Sequence, residues 1–510
     1  MCAQLINTRV DGGEILLEFY EIAPPYAYAL IVRKRDGALE YRLVEPPLTP
    51  EDVRVLERIK RNLLVSSTER YDQALRKLTS DPESFLEEEV KRVIKQYKIS
   101  VSSESLDKYL YYIKRDTIGY SRIDALLKDK EIEDISCDGV GVPVYVWHKR
   151  YESIPTNVVF EDREELASLL LKLTYRAGKQ VSVAQPIVEG TLPMGYRLHV
   201  TLDEVSRRRG TFTIRKFREV PFSLVDLVKL GTISPNLAAY LWYLIENNRS
   251  LMVVGATAGG KITTLNAVAT FIRPEAKVVT IEDTPELRLP HENWVPLVTR
   301  PSYEEWVRNV GLFDLLKSAM RMRPDYIIIG EVRGEEAFTL FQAIATGHAG
   351  MCTLHAENID YAVKRLISPP MNVPIFLLPM MNVVILVRRL KIGERIVRRV
   401  VSVQELLGVD EEGKTVVSRE VFRVNPVLDR IEQVAESEHI RRIAEEKFTT
   451  LSEVQEELER RVSVIEYMAK AGMTSYEQIS RVVRDYYRNP EVTYRLLMDG
   501  YYAREEVKQG

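Results

Sequence analysis

The chain has 510 residues, 45% of them hydrophobic and 28% charged, enough for large buried cores and roughly two to four domains. Its 71 Lys and Arg residues against 74 Asp and Glu residues give a net charge of −3, which argues against a protein that mainly coats nucleic acid. Its three cysteines, Cys2, Cys137 and Cys352, lack the spacing of a zinc site or a disulfide framework and so indicate a reducing, cytoplasmic location.

The first half of the chain predicts a helical module followed by an α/β domain. From Thr49 to about Ile99 the sequence is charged, with apolar residues at helical spacing, and we assign 1–100 to a variable N-terminal region that contains this module. In 101–217, short apolar runs alternate with a helical pattern near 163–175, which predicts a small α/β domain.

The second half predicts a linker, a catalytic core and a helical end. Residues 218–234, with Pro221 and Gly231, have the composition of a linker around a short helix. Residues 235–437 follow the pattern strand, glycine loop, helix, strand, helix, strand, which is typical of a parallel sheet with crossover helices. The longest apolar run, 374–387, is too short to span a bilayer.

Residues 438–510 are predicted to be helical. Two helix starts are indicated by capping boxes, Thr450 with Glu453 and Thr474 with Glu477.

A phosphate-binding loop is the strongest motif in the chain. The buried-strand candidate 251–254 precedes a glycine-rich loop, and a helix follows the loop. Backbone N–H groups of such a loop surround a phosphate, and its lysine reaches the β- and γ-phosphates of a nucleotide. The predicted nucleotide-binding residues are Gly255, Ala256, Thr257, Ala258, Gly259, Gly260, Lys261, Ile262 and Thr263.

The residue after the loop lysine departs from the motif. A Ser or Thr hydroxyl in that position ligates Mg²⁺ directly, whereas this chain has Ile262 there. A branched alkyl group cannot ligate a hard cation, and Thr263 points about 100° further round the helix.

Two acidic segments follow strands that are predicted to be parallel. The apolar run 326–329 ends at Gly330 and Glu331, and Glu331 is the candidate that activates or positions the attacking water. Many P-loop enzymes have a metal-binding Asp where Gly330 stands. The second segment follows the strand 278–281 and contains Glu282, Asp283 and Glu286, at the end of a sheet where α/β proteins bind ligands.

Two histidines, His348 and His355, flank a short apolar strand. Their spacing of seven residues is not that of a metal motif.

Taken together, the order of these segments resembles the secretion ATPase superfamily that drives type II secretion, type IV pili and the archaellum. The matching segments are the Walker A motif (255–261), an Asp box (281–287), the Walker B region (323–334), a His box (346–356) and the upstream motifs 132–135, 143–148, 192–197 and 213–216. The chain lacks the family's tetracysteine zinc segment, and in this respect it resembles the archaeal branch of the family.

This resemblance implies a RecA-like P-loop ATPase domain that assembles into a hexameric ring and uses ATP and Mg²⁺. It implies catalytic roles for Lys261, Glu331, Glu286, His348 and His355. Glu282, Asp283 and Glu331 are the candidates for indirect contact with the metal. Arg197 and Arg215 match motif arginines that reach the nucleotide phosphates from the N-terminal domain.

The expected function is therefore an ATP-driven motor that powers protein secretion or assembly of an archaeal type IV pilus-like filament or archaellum. Its expected partner is a membrane platform protein, and its expected location is cytoplasmic, peripheral to the inner face of the cell membrane; no nucleic-acid partner is expected. One alternative is a nucleotide-binding ring component whose hydrolysis is impaired by Ile262. A DNA translocase is another, disfavoured by the near-neutral charge.

Overall fold

The computed structural model describes residues 13–68, 81–217, 221–300, 308–392 and 395–500. The chain forms two compact units, Met1–Phe217 and Arg218–Gly510. Both are mixed helix and sheet, which confirms the predicted α/β fold class. The finer domain boundaries drawn from the sequence remain predictions, and the parts of them that fall on 1–12, 69–80, 218–220 and 501–510 lie outside the described residues.

Within the described residues, the first unit is built on a nine-stranded sheet. Its strands are β1 (Ile15–Ala23), β2 (Ala27–Arg33), β3 (Leu39–Val44), β4 (Ile132–Cys137), β5 (Pro143–His148), β6 (Glu152–Val159), β7 (Ile187–Thr191), β8 (Arg197–Thr201) and β9 (Thr211–Arg215). Their order is β1-β2-β3-β6-β5-β4-β9-β8-β7. All neighbours are antiparallel except β3 and β6.

The predicted helical module is present in this unit. The helices are α1 (Pro50–Thr68), α2 (Pro82–Gln96), α3 (Ser103–Thr117), α4 (Asp124–Lys128) and α5 (Arg163–Arg176). The first three pack around a separate apolar cluster that includes Leu56, Ile59, Val90 and Ile113. Their apolar residues recur at helical spacing because each helix buries one face in this cluster.

A buried polar network fastens the first three strands to the rest of the unit. Tyr20 and Tyr41 donate hydrogen bonds of 2.8 and 2.7 Å from their hydroxyls to one oxygen of Asp129. His148 accepts the N–H of Arg150 at Nδ1, so its Nε2, 3.3 Å from the Tyr20 hydroxyl, carries the proton. The network therefore compensates for burying a carboxylate that is only 2% exposed.

The second unit contains a second nine-stranded sheet within the described residues. Its strands are β10 (Leu251–Gly255), β11 (Val278–Glu282), β12 (Trp294–Val298), β13 (Tyr326–Ile329), β14 (Ala349–His355), β15 (Val383–Ile392), β16 (Arg395–Val409), β17 (Val416–Asn425) and β18 (Arg430–Gln433). The order is β12-β11-β13-β14-β10-β15-β16-β17-β18. Strands β12 to β15 are parallel, and β15 to β18 are antiparallel.

Helices cover both faces of this parallel sheet. They are α6 (Leu224–Lys229), α7 (Pro235–Glu246), α8 (Lys261–Ala269), α9 (Leu312–Met320), α10 (Glu336–Ala345), α11 (Ile359–Ile367), α12 (Glu438–Glu446), α13 (Leu451–Ala471), α14 (Tyr476–Arg488) and α15 (Pro490–Met498). Side chains of β10 alternate between two cores, with Leu251 and Val253 in one and Met252 and Val254 in the other. Apolar residues of the C-terminal helices and of α8 belong to the same core cluster.

The apolar run 374–387 is not a single helix. It divides into a 3₁₀ segment, Ile375–Met381, and the start of β15. No described helix has both the length and the hydropathy required to span a bilayer.

One of the two predicted capping boxes is correct. Thr450 and Glu453 cap α13 reciprocally as predicted. The prediction for Thr474 and Glu477 is wrong by one residue, because Ser475 and Gln478 form the box. This register places Ile479, Val482, Val483 and Tyr486 of α14 in the core.

The tyrosine network predicts a measurable loss of stability on a one-atom change. Tyr41→Phe deletes a buried hydrogen bond to the Asp129 carboxyl group, so we expect unfolding to become easier by about 1–3 kcal/mol. Chemical denaturation of the full chain measures this change. Tyr145→Phe, on the exposed side of β5, is the control, and equal stability of the two variants would contradict the role of the network.

Candidate nucleotide site

The predicted phosphate loop connects β10 to α8 at the centre of the second sheet. All five residues of β10 are buried, and β10 lies between β14 and β15. Helix α8 begins at Lys261, directly after Gly260, so its N-terminus faces the loop. The positive end of the helix dipole therefore lies where an anion would bind.

Two loop positions accept only glycine. A Cβ on Gly255 would lie 2.4 Å from the carbonyl oxygen of Val387 on β15. Gly260 has φ +94°, a conformation that side chains disfavour, and an added Cβ would lie 3.1 Å from Cδ of Arg398. The neighbouring strands β15 and β16 thus fix the path of the loop.

Lys261 is turned back onto the loop. Its Nζ donates to the carbonyl oxygen of Ala256 at 3.1 Å. The ammonium group is also close enough to Glu331 to favour the ionised form of that carboxyl. The side chain lies between the loop and the end of β13, where a terminal phosphate would be bound.

Ile262 packs against the apolar core. Its side chain is half-buried and contacts the cluster that contains Leu224 of α6 and Trp242 of α7. Thr264 is buried with its hydroxyl in no hydrogen bond to another described residue. The first turn of α8 therefore uses position 262 to pack against the core.

Glu331 follows β13 and is paired with Arg333. Arg333 donates from Nη2 to the Glu331 carboxylate at 2.7 Å. Burial alone would raise the pKa of Glu331, but the hydrogen bond and charge of Arg333, assisted by Lys261 and His355, hold that pKa below its ordinary value. Glu331 is therefore ionised at neutral pH.

Glu282, at the end of β11, is a buried carboxyl. It accepts the backbone N–H groups of Glu286 and Leu287 at 2.9 and 3.0 Å. Burial raises the pKa of Glu282 to about 7. A Cβ on Gly330 would lie 3.1 Å from Cγ of Glu282, so this side chain fills the space beside Gly330.

The other members of the acidic turn lie nearer to solvent. Asp283 is exposed and accepts the Thr299 hydroxyl at 3.1 Å. Asp283 and Glu331 both favour the charged form of Arg333, whose pKa is raised chiefly by its hydrogen bond to Glu331. Arg333 thus lies between the two predicted acidic segments. Glu286 is half-buried, and its N–H holds Glu282.

The two histidines lie near opposite ends of β14. Strands β10 and β14 are parallel, and Gly255 is in register with His355. Nε2 of His355 lies 2.6 Å from the Thr257 hydroxyl in the phosphate loop. His348 precedes the first residue of β14, about 20 Å away at ~3.3 Å per residue, and its ring contacts the carbonyl oxygen of Ala343. The structure therefore brings His355 to the loop of its own chain and keeps His348 away from it.

Arg197 and Arg215 belong to the first unit. They stand directly opposite each other on β8 and β9. Arg215 also lies opposite Asp134 of the neighbouring strand β4, and Arg197 makes a 3.5 Å contact with Glu189. Each arginine therefore lies beside the other arginine and also near a carboxylate of the first unit.

The residues of this edge fit a nucleotide better than a protein-held metal. Among the described residues, no group of three or more His, Cys, Asp or Glu side chains is arranged to hold a metal ion. Ile262 packs against the core, and Gly330 has no carboxylate. Mg²⁺ is often bound through few carboxylates and the substrate's phosphates. At this edge such carboxylates could come from Glu331 and Asp283.

Two residues of the candidate site were not among the sequence predictions. Arg333 lies within the Gly-Glu-Val-Arg-Gly motif, so the motif itself could have identified it. Arg398 is about 140 residues from the loop, and its Nε donates to the carbonyl oxygen of Ala258 at 3.1 Å. Only the folded sheet brings Arg398 to the loop.

Comparisons with known proteins found a family, relatives and solved structures to which the chain is similar. Residues 127–481 match the family described as Type II/IV secretion system protein. The uncharacterized protein MJ0900 of Methanocaldococcus jannaschii is 40% identical over 397 residues, which cover 76% of this chain and 71% of that protein. The putative conjugal transfer protein Rv3659c of Mycobacterium tuberculosis is 33% identical over 245 residues, 46% of this chain and 70% of that one. Among solved structures, the VirB11 ATPase of the Brucella suis type IV secretion system, in complex with sulphate, is 24% identical, with 54% of this chain and 90% of that chain covered and a TM-score of 0.28.

The buried Glu282 predicts a pH-dependent stability. Its pKa rises from 4.5 to about 7 on folding, so the stability contributed by its neutral form is complete below about pH 4.5 and is lost as the pH rises through 7. We expect Glu282→Gln to gain about 3 kcal/mol relative to the wild type between pH 4.5 and 8, since each pKa unit is worth ~1.4 kcal/mol. Chemical denaturation at both pH values measures this difference. The exposed Glu335→Gln is the control, and a pH-independent difference for Glu282→Gln would contradict the burial argument.

Proposed function

Because the chain belongs to the Type II/IV secretion system protein family, we propose that it is an ATP-hydrolysing motor whose nucleotide binds at residues 255–263. One observation carries this proposal. Lys261, Glu331 and His355 meet at the carboxyl ends of three adjacent strands, β10, β13 and β14. Ligands bind at this edge of open parallel sheets.

We assign phosphate binding to the loop and to Lys261. The N–H groups of the loop and of the first turn of α8 would surround the β-phosphate. Lys261 would exchange the carbonyl oxygen of Ala256 for a phosphate oxygen. Magnesium, when bound, offsets phosphate charge, and nothing below depends on where it binds.

Glu331 is the group we assign to the attacking water. Its carboxylate is ionised and is held by Arg333, so it can accept a hydrogen bond from that water and fix its direction. His355, the last residue of β14, contacts Thr257 in the loop. A terminal phosphate that displaces this contact would therefore change the hydrogen bonding of His355. We therefore propose His355 as a positioning residue for the loop.

The motor output is proposed from the family. We propose a hexameric ring in which Arg197 and Arg215 neutralise phosphate charge. Cycles of nucleotide binding and hydrolysis in this ring would act on a membrane platform protein, to secrete protein or to assemble a pilus-like filament. The opposed positions of the two arginines support an anion-binding role for them.

Ile262 supports a second candidate function. Because its side chain packs against the core, the site lacks the hydroxyl that ligates magnesium directly. A chain with this defect could bind nucleotide and hold its place in a ring while turning over slowly. Loss of a direct metal ligand could cost on the order of 10²-fold in rate.

The proposed role of Glu331 predicts a separation of binding from turnover. Glu331→Gln removes the charge that orients the water, so we expect hydrolysis to fall by about 10²- to 10⁴-fold, as for loss of general-base catalysis. ADP affinity should stay within about threefold, since ~0.6 kcal/mol is a small part of phosphate binding. The control is Glu335→Gln, four residues further on and exposed. An unchanged rate in Glu331→Gln would remove Glu331 from the mechanism.

Position 262 predicts a magnesium effect that isosteric variants can isolate. Thr and Val have nearly the same shape, so Ile262→Thr and Ile262→Val remove the same volume, and the variants differ in the hydroxyl. We expect Ile262→Thr to hydrolyse ATP at least about tenfold faster than Ile262→Val and to saturate at lower Mg²⁺. Steady-state rates across a magnesium titration measure this. Equal rates would overturn the hydroxyl argument, and rapid turnover by the wild type would exclude the second candidate.

A further inference from the structure

Strand β16 carries two adjacent arginines that bind different parts of the second unit. Arg398 is exposed and donates from Nε to Ala258 in the phosphate loop at 3.1 Å. Arg399 is only 7% exposed and donates from Nη1 to the carbonyl oxygen of Leu230 at 2.8 Å. Successive side chains of a strand point to opposite faces, so one peptide unit separates a contact with the loop from a contact with the segment 224–233.

The loop contact holds an unusual backbone conformation. Ala258 has φ +58°, which is uncommon for a residue with a side chain. Its carbonyl accepts the Arg398 hydrogen bond, and the Arg398 stem lies against Gly260. Arg398 therefore restrains the loop at two residues that precede Lys261.

The contact on the other face is equally specific. Arg399 forms two parallel hydrogen bonds of 2.8 Å to the carboxylate of Asp429. Gly231 has φ +70°, and a Cβ there would lie 3.3 Å from the guanidinium. The N–H of Val400 donates to the carbonyl oxygen of Thr232 at 2.9 Å. The segment 224–233 is thus bound to β16 at Leu230 and at Thr232.

The strand between these contacts is paired with β15. Arg398 and Arg399 lie opposite Arg389 and Arg388 of β15, whereas the pairing of β16 with β17 begins at Ser402. Helix α6, the first part of the segment 224–233, also packs against α8, which follows the loop. A change in the position of the loop can therefore be transmitted to the segment 224–233 by two routes, through β16 and through the contact of α8 with α6.

We propose that Arg398 and Arg399 together link nucleotide occupancy of the phosphate loop to the ordering of residues 224–233. Arg398 is a positioning residue for the loop, and Arg399 is a positioning residue for the segment that the sequence predicts to end the linker. A nucleotide that orders the loop would strengthen the Arg398 contact, hold β16 in place and so order the segment. This inference rests on the proposed binding of nucleotide at the loop.

Hydrogen exchange of the full chain, with and without saturating ADP and Mg²⁺, tests the link. In the wild type we expect ADP to slow exchange of amides in 224–233 by roughly tenfold, within the range of 5- to 150-fold that is usual for coupled sites. Arg398→Gln should still bind ADP, at saturation set by its own titration, but the effect on 224–233 should disappear. Lys391→Gln removes an exposed charge from the same β15–β16 hairpin and should retain the full effect.

A second variant tests the link from the other side. Asp429→Asn weakens the paired hydrogen bonds from Arg399, so it should speed hydrogen exchange in 224–233. Because coupling between two sites is reciprocal, it should also weaken ADP binding by about fivefold. In the double variant with Arg398→Gln the losses in ADP affinity should not add, since both break one chain of contacts. A merely structural role of Arg399 would leave ADP affinity unchanged.

The outcomes separate the two proposals. A wild type that does not bind ADP would refute the proposed function and this inference with it. A wild type that binds ADP without slowing exchange in 224–233 would overturn only the inference. Retention of the effect in Arg398→Gln, or strictly additive losses in the double variant, would overturn it as well.

Discussion

The candidate site depends on the parallel pairing of β10 with β14 and β15. In a parallel arrangement all strands end at the same edge, so residues from distant parts of the sequence meet there without any further device. The register Gly255 with His355 places the phosphate loop beside the His box. On the other side, Val387 of β15 approaches Gly255 so closely that no side chain fits between them. A slip of one residue in either pairing would separate the loop from Val387 or from His355.

Two carboxyl groups on the neighbouring strands have opposite electrostatic character. Glu282 is buried and receives only backbone N–H groups, and its pKa is about 7. Glu331 lies beside Arg333, and its pKa is below the ordinary value. Pairs of acids whose environments move their pKa values apart often divide tasks in an active site. Here the division is between Glu282, which shapes the Asp-box turn, and Glu331, which we propose to position the attacking water.

The sequence predicted the parts of the site that are local. The loop, its strand and its helix lie within twenty residues, and Glu331 ends an apolar run, so the pattern alone located them. Arg398 could not be found because its contact with Ala258 depends on strand order. The placement of His348 depends on strand direction, which the spacing of two histidines does not contain.

The fold was predictable to a similar extent. The parallel core, the helical module and the short helix before 230 follow from periodicity. Strands β1–β3 were not predicted, because β2 is buried up to Val32 and its continuous apolar run has no distinct period. The N-cap of α14 at Ser475 instead of Thr474 was decided by which face reaches the core, which capping residues alone cannot specify.

The contact between Gly330 and Glu282 makes these two positions mutually dependent. An aspartate at 330 would bring a second carboxylate against a buried one and would press its Cβ on the Glu282 side chain. Gly330→Asp is therefore unfavourable while Glu282 is present. A route to the common P-loop arrangement would first have to replace Glu282 with a smaller, neutral residue, and would give up the hydrogen bonds that hold the Asp-box turn.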